Sequence, residues 1–276
     1  MLKGHPQAFF LPDGHGGHRF ALWYPAVGKP PEALMLYVHP FADEMNKTRR
    51  MAALQARHLA AAGFAVLQID LRGCGDSSDD FGDVSWGDWV DDVVLASDWL
   101  RAQSAAPLWL WGLRSSCLLC VDAASSIDED CNFLFWHPVI SGKTALQQFL
   151  RLRLAGGLLA GSEKGAIGVL RAAIARGDSI DVAGYRLSAG LANGLERATL
   201  EPPCGSRKLA WLELSSRSES TLSPAAVAQV AQWSEAGHLA RAHVVQGPLF
   251  WQTTEIEEAP DLLEATRLAL DLEPLL

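Results

Sequence analysis

The stretch Leu110-Trp111-Gly112-Leu113-Arg114-Ser115-Ser116 ends one apolar run and begins another, and its reading decides the fold. Residues 108–111 have the length of a buried strand and residues 113–126 read as a helix, so the chain turns sharply at Gly112–Ser115. Two earlier runs have the same character. Residues 33–39 lead into His39-Pro40-Phe41, and residues 64–71 end in the loop Asp70-Leu-Arg-Gly-Cys-Gly-Asp-Ser-Ser78. Continuous rather than alternating apolar runs mark strands buried on both faces.

Working outward, helices are expected at 46–62, with Met51, Leu54 and Leu59 on the apolar side and Gly63 as the stop, and at 86–103, where Trp86, Trp89, Val90, Val93, Ser97 and Leu100 recur at helical spacing. Strands are expected at 8–11 and 18–24 around the 12–17 turn, and later at 132–136, 208–214 and 242–246, with helices at 224–236 and 261–270. Strand and helix alternate, which predicts an α/β protein with a mostly parallel sheet flanked by helices on both faces. Residues 138–204 break the rhythm. They hold no clear strand and read as helices at 144–155, 163–176 and 187–199; their eight bases and five acids give +3, leaving −12 for the rest of a chain of net charge −9. The expected division is a core of 1–137 and 205–276 with a helical cap, 138–204, where a lid would lie.

Composition narrows the function. The chain has 276 residues, 49% hydrophobic and 20% charged, a globular balance near the upper size of a single core. Net negative charge argues against a nucleic-acid binder, and no window of 18 uncharged apolar residues predicts a membrane span. No secretory signal is visible and five cysteines are an odd set, so a cytoplasmic protein without disulfides is expected. Cys117 and Cys120 form a C-x-x-C, but Leu118, Leu119 and the apolar flanks suit buried hydrophobes better than a redox pair.

The order of the three quoted segments resembles the α/β-hydrolase fold. The resemblance implies that Phe41 supplies one oxyanion-hole amide and that Gly112-Leu-Arg-Ser-Ser116 is the nucleophile elbow, where flanking residues must be small. Arg114 stands at the nucleophile position, and a permanently protonated guanidinium cannot attack a carbonyl. Ser115 is one residue late and would serve only after a register shift. After the 208–214 strand, Glu219 is the only plausible acid; where a histidine would follow the last strand, the chain reads Gly247-Pro-Leu-Phe-Trp251. His238 and His243 read as structural.

What remains suits an anion. Arg114, the amides of Phe41 and Ser115, His39, Lys47 and Arg50 form a candidate nest for carboxylate or phosphate, with Trp136, Phe250 and Trp251 as pocket residues. The competing reading is an internal ion pair from Arg114 to Asp43, Glu44 or Glu219. Two weaker patterns carry little. Gly142-Lys143-Thr144 lacks the first glycine of a phosphate loop, and the seven aspartates between 76 and 92 lack calcium-loop spacing and read as a solvated loop and helix start.

A narrower resemblance rests on His39-Pro-Phe-Ala-Asp-Glu-Met-Asn-Lys-Thr-Arg-Arg50, Trp111-Gly-Leu-Arg114, Trp136-His-Pro-Val-Ile-Ser-Gly-Lys143, Gln147-Gln-Phe-Leu-Arg-Leu-Arg153 and Phe250-Trp-Gln-Thr-Thr-Glu255. These runs look like the exosortase A system-associated hydrolase, second type. The resemblance implies a bacterial protein encoded beside machinery for exopolysaccharide production and protein sorting, and it implies arginine as the usual elbow residue. Two functions follow as expectations. One is a hydrolase or acyltransferase acting on an ester or thioester, with Glu44 or Glu219 activating water while Arg114 and the two amides hold the oxyanion. The other is a non-catalytic protein binding an anionic small molecule or a partner protein. Neither a metal nor a cofactor is expected, and a homodimer is left open.

Overall fold

The computed structural model describes residues 5–28, 30–155, 163–218 and 220–271. Strands β1 (Gln7–Pro12) and β2 (His18–Tyr24) form an antiparallel hairpin, and β2 joins β4 (Ala65–Ile69), again antiparallel. The remaining neighbours are parallel: β4 with β3 (Leu34–Val38), then β5 (Leu108–Leu113), β6 (Cys131–Trp136), and, across the later insertion, the strands Lys208–Ser215 and Leu239–Gln246. This is the α/β-hydrolase fold: a mostly parallel eight-stranded sheet with helices on both faces.

Pleat alternation divides the core. On β3, Leu34, Leu36 and Val38 enter one apolar cluster, while Met35 and Tyr37 enter the other. The first cluster is covered by α2 (Trp86–Gln103) and α3 (Ser116–Ala124); the second is covered by α1 (Asp43–Ala61). Helix α2 spans the expected residues because Ser85 and Asp88 close a reciprocal cap at its start. Helix α1 begins three residues earlier than the pattern indicates, at the strained Ala42, and the chain leaves it through Gly63 at φ 98°.

Between β6 and the next sheet strand lie α4 (Gly142–Ala155), α5 (Glu163–Ala175), the hairpin β7 (Ile180–Val182) and β8 (Tyr185–Leu187), and α6 (Ala189–Arg197). The expectation of no strand here is corrected by that hairpin, whose Ala183 and Gly184 both have positive φ, as a two-residue turn demands. Gly142 opens α4, its N–H bonded to Ala198 O, so Gly142-Lys143-Thr144 is a helix start packed on α6. The sheet is completed by β9 (Lys208–Ser215) and β10 (Leu239–Gln246), with α7 (Pro224–Glu235) on the first face and α8 (Pro260–Leu270) beside α1 on the second. The insertion packs its Leu146, Leu150, Leu191 and Leu195 into the same cluster as α2 and α3.

The aspartates of 76–92 are not uniformly solvated. Asp88 caps α2 and pairs with Arg72, while Asp92 is buried against Arg19 and accepts from Arg72 N. Burial pushes the Asp92 carboxyl up to about 6.

Helix α6 packs tightly on α2 at Gly194, where an added Cβ would stand 2.0 Å from Trp86 Cβ, a backbone-proximal atom with little freedom to move. Gly194→Ala is therefore expected to cost about 1–3 kcal/mol by forcing α6 off α2. Denaturant unfolding reads this directly, and an unchanged midpoint would contradict the packing.

Candidate functional site

The elbow is where sequence and backbone meet most tightly. Arg114 sits at φ 60° between β5 and α3, the left-handed conformation that places one residue at the tip of the turn. Its N–H donates to Trp136 O at 3.0 Å, and its carbonyl accepts from Cys117 N at 3.3 Å and Val139 N at 3.2 Å. The flanking positions are small for a steric reason. A Cβ on Gly112 would approach the Cys117 backbone to 2.9 Å, and the Ser116 hydroxyl fits by accepting from Leu113 N and donating to Val38 O. The register is thus the one in which Arg114, not Ser115, holds the tip.

Arg114 leans into a cavity of about 310 Å³ at the C-terminal ends of the strands. Its Nε is 3.3 Å from Glu44 Oε1, and its guanidinium carbon lies 5.3 Å from the centre of the Trp251 ring. Lys47 lines the same space and pairs with Asp43 at 2.9 Å. Residues between β6 and β9 supply a largely apolar part of the lining, Val139, Ala145, Phe149, Leu152 and Leu195, with Gln148 among them. Burial raises the Glu44 carboxyl above its ordinary range, against the pull of Arg114. Among the described residues the amides of Phe41 and Ser115 have no hydrogen-bond acceptor, and Trp251 Nε1, fully buried, has none either. The Arg114 guanidinium and the residues of the two unengaged amides therefore border a space whose other side is largely apolar.

Backbone strain gathers at the same place. Five described non-glycine residues have positive φ; two of them, Ala42 at 50° and Arg114 at 60°, line this cavity, and a third, His137 at 43°, packs against its Trp251. His137 is a site residue that sequence reasoning missed. It follows β6 directly, stacks on Trp251 at 4.6 Å between ring centres, and accepts Leu214 N–H at Nδ1, which puts its proton on Nε2. Burial and the neighbouring Arg114 hold it down to about 4, so the ring is neutral at physiological pH. The only cue in the sequence was its place one residue past a strand end.

Five expected positions need correction or relocation. His39 is buried and spent: its Nδ1–H donates to Pro40 O and its Nε2 accepts from Leu71 N, tying β3 to the loop after β4. Arg50 points away and pairs with Glu258 at the surface. Trp136 is fully buried on the other face of the sheet, its Nε1 donating to Thr266 Oγ1 at 3.0 Å, and Phe250 packs edge-on against it. Glu219 lies outside the described residues. The structure does bring together Arg114, Ser115, Glu44, Phe41, Lys47 and Trp251. His238 is structural, bonded to Arg207 N and Pro203 O, and His243 is exposed. Cys117 and Cys120 are buried free thiols whose ionisation burial suppresses. Among the described residues, no group of three or more His, Cys, Asp or Glu stands ready to hold a metal, and no helix is long and apolar enough to cross a membrane.

No family model matches the chain. Over 108 residues it is 28% identical to human Protein ABHD12B, a segment that is 39% of this chain and 28% of that protein's length. Among solved structures it is similar to Est1E from Butyrivibrio proteoclasticus, determined with ferulic acid bound, at 14% identity and TM-score 0.63, covering 95% of this chain and 98% of that one. It is also similar to DcsB in complex with its substrate analogue, at 15% identity and TM-score 0.60, over 96% and 98% of the two chains. A third likeness is to XC6422 from Xanthomonas campestris, described as a serine hydrolase without a lid, at 17% identity and TM-score 0.54, over 98% and 97%. At these identities the likenesses carry the fold alone.

His137 gives the site a measurable pH signature. A histidine held down in the folded state takes up its proton first on unfolding, so its contribution to stability is full above about 6.5 and is lost as pH falls toward about 4. His137→Gln is expected to flatten the stability-against-pH curve in that window by the equivalent of one proton. Equal slopes for the two proteins would show that the ring is not held neutral by this environment.

Proposed function

We propose that this protein is an anion-recognising member of the α/β-hydrolase fold, in which the elbow presents a cation instead of a nucleophile. The ligand we assign is a small molecule with a carboxylate or phosphate head and an apolar body. The observation that carries the reading is Arg114 at the elbow tip, facing Glu44 and Trp251 beside the free amides of Phe41 and Ser115. A hydroxyl nucleophile needs an imidazole to take its proton. Among the described residues, no hydrogen bond joins Ser115 to a histidine, and the His39 nitrogens are both engaged. The apolar wall supplied by 138–204 supports treating that insertion as a cap over the ligand's body. The motif runs that resemble the exosortase-associated family support placing the ligand among precursors of bacterial exopolysaccharide production or protein sorting, in the cytoplasm.

A second reading keeps the hydrolase. Glu44, raised above the usual carboxylate range beside two unengaged amides, has the placement of a base that activates water toward an ester or thioester, with Arg114 holding the oxyanion. One pair of experiments separates the two. Calorimetric titration with octanoate is expected to give saturable binding that Arg114→Ala weakens about 10-fold or more, the value of a charge-assisted hydrogen bond. Turnover of short p-nitrophenyl esters that Glu44→Gln abolishes would replace binding by hydrolysis, and turnover abolished by Ser115→Ala would overturn both readings.

A further inference from the structure

A second cavity, of about 190 Å³, lies between α1 and the strands β2, β3 and β4. Its floor is formed by β2, β3 and β4 and its roof by the α1 residues Met45, Arg49, Ala52 and Ala53, where the two alanines leave the room. Two lining side chains carry buried polar atoms without partners: Tyr37 Oη and Gln68 Nε2. Tyr37 is only 4% exposed. The Thr48 hydroxyl stands near its phenol but closes no hydrogen bond to it, bonding instead to the carbonyls of Glu44 and Met45. Gln68 Oε1 accepts only a long bond from Tyr24, at 3.4 Å. At the mouth, Arg49 and Asp70 pair at 3.0 Å, so the lining brings no net charge.

Unpartnered buried donors are costly, and their presence in a cavity with room to spare calls for a guest that answers them. The two unpartnered groups are a neutral phenol and a neutral amide N–H, which match hydroxyl oxygens and protons. A guest of hydroxyl groups satisfies the phenol and the amide N–H together, and its C–H faces can lie against Phe20, Leu22 and Ile69. We infer that this cavity is a binding site for a small polyhydroxy compound, either a free polyol of three or four carbons or the hydroxymethyl end of a sugar. The inference is independent of the Arg114 pocket: it uses Tyr37, Gln68 and the Ala52 face of α1, whereas Glu44 and Lys47 of the same helix line the other site.

The test is an NMR titration of the intact protein with glycerol, erythritol and methyl glucoside. Saturable shifts are expected with dissociation constants on the order of tens of millimolar, as befits so small a ligand. Tyr37→Phe removes only a hydroxyl without a partner and so leaves the fold intact; it is expected to weaken binding about fivefold. Ala52→Leu fills the space and is expected to abolish binding, while Arg114→Ala leaves it unchanged. Response to erythritol but not methyl glucoside assigns a free polyol, and the reverse assigns a sugar end. Absence of saturation with all three probes, Tyr37→Phe affinity equal to that of the unaltered protein, or crystals in which glycerol soaks yield only water between Tyr37 Oη and Gln68 Nε2 would each overturn the site.

Discussion

The constraint on which the rest of the structure depends is the sharp turn from β5 into α3. Packing α3 directly behind a buried parallel strand leaves no room for a Cβ at Gly112 and forces the next position but one into left-handed backbone at φ 60°. Such a residue is aimed outward by geometry alone, whatever its side chain. A non-glycine residue held there costs on the order of 1–3 kcal/mol unless surrounding contacts over-determine it. Here those contacts are visible: Trp136 O, Cys117 N and Val139 N fix the backbone, and Glu44 and Trp251 fix the guanidinium. Ser116 then binds the turn to Val38 O on β3, so the elbow and the strand leading to Phe41 are a single hydrogen-bonded unit.

How much of this was legible follows from which physical scale each feature depends on. The sheet strands and the Trp86–Gln103 helix are written in runs of apolar residues and in caps, which are local. The elbow register was legible for the same reason, because steric demand at Gly112 and Ser116 acts over three residues. The pocket walls were not. Trp136 and Phe250 stand at strand ends near the site, yet pleat parity sends Trp136 to the α1 face with Leu134, while Phe133 and Phe135 go to the other. A period of two makes adjacent positions opposite, and a reading that places a residue by its strand end alone cannot choose the face. Arg50 fails similarly: it shares a helix start with Lys47, but three residues further around α1 it meets Glu258 instead of the cavity. His137 was hidden because its role comes from Trp251 and Leu214, both far away in sequence.

Arg114 and Lys47 are each answered by a carboxylate already, Glu44 and Asp43, so the cavity is close to neutral before any ligand arrives. In the anion-binding reading proposed above, a ligand would displace Glu44 from Arg114 or share the guanidinium with it. Displacement would leave the half-buried Glu44, whose carboxyl burial already raises above its ordinary range, without its partner, and taking a proton would relieve that cost. In that reading anion binding and proton uptake would be linked through one side chain, the ligand supplying the negative charge that Glu44 gives up. The Trp251 ring beneath the guanidinium makes this exchange feasible, because it holds Arg114 in place whichever carboxylate faces it. The same arrangement explains why the tip of the turn can carry a cation without unfolding the elbow. Its charge is compensated internally by Glu44, while the amides of Phe41 and Ser115 stay unengaged.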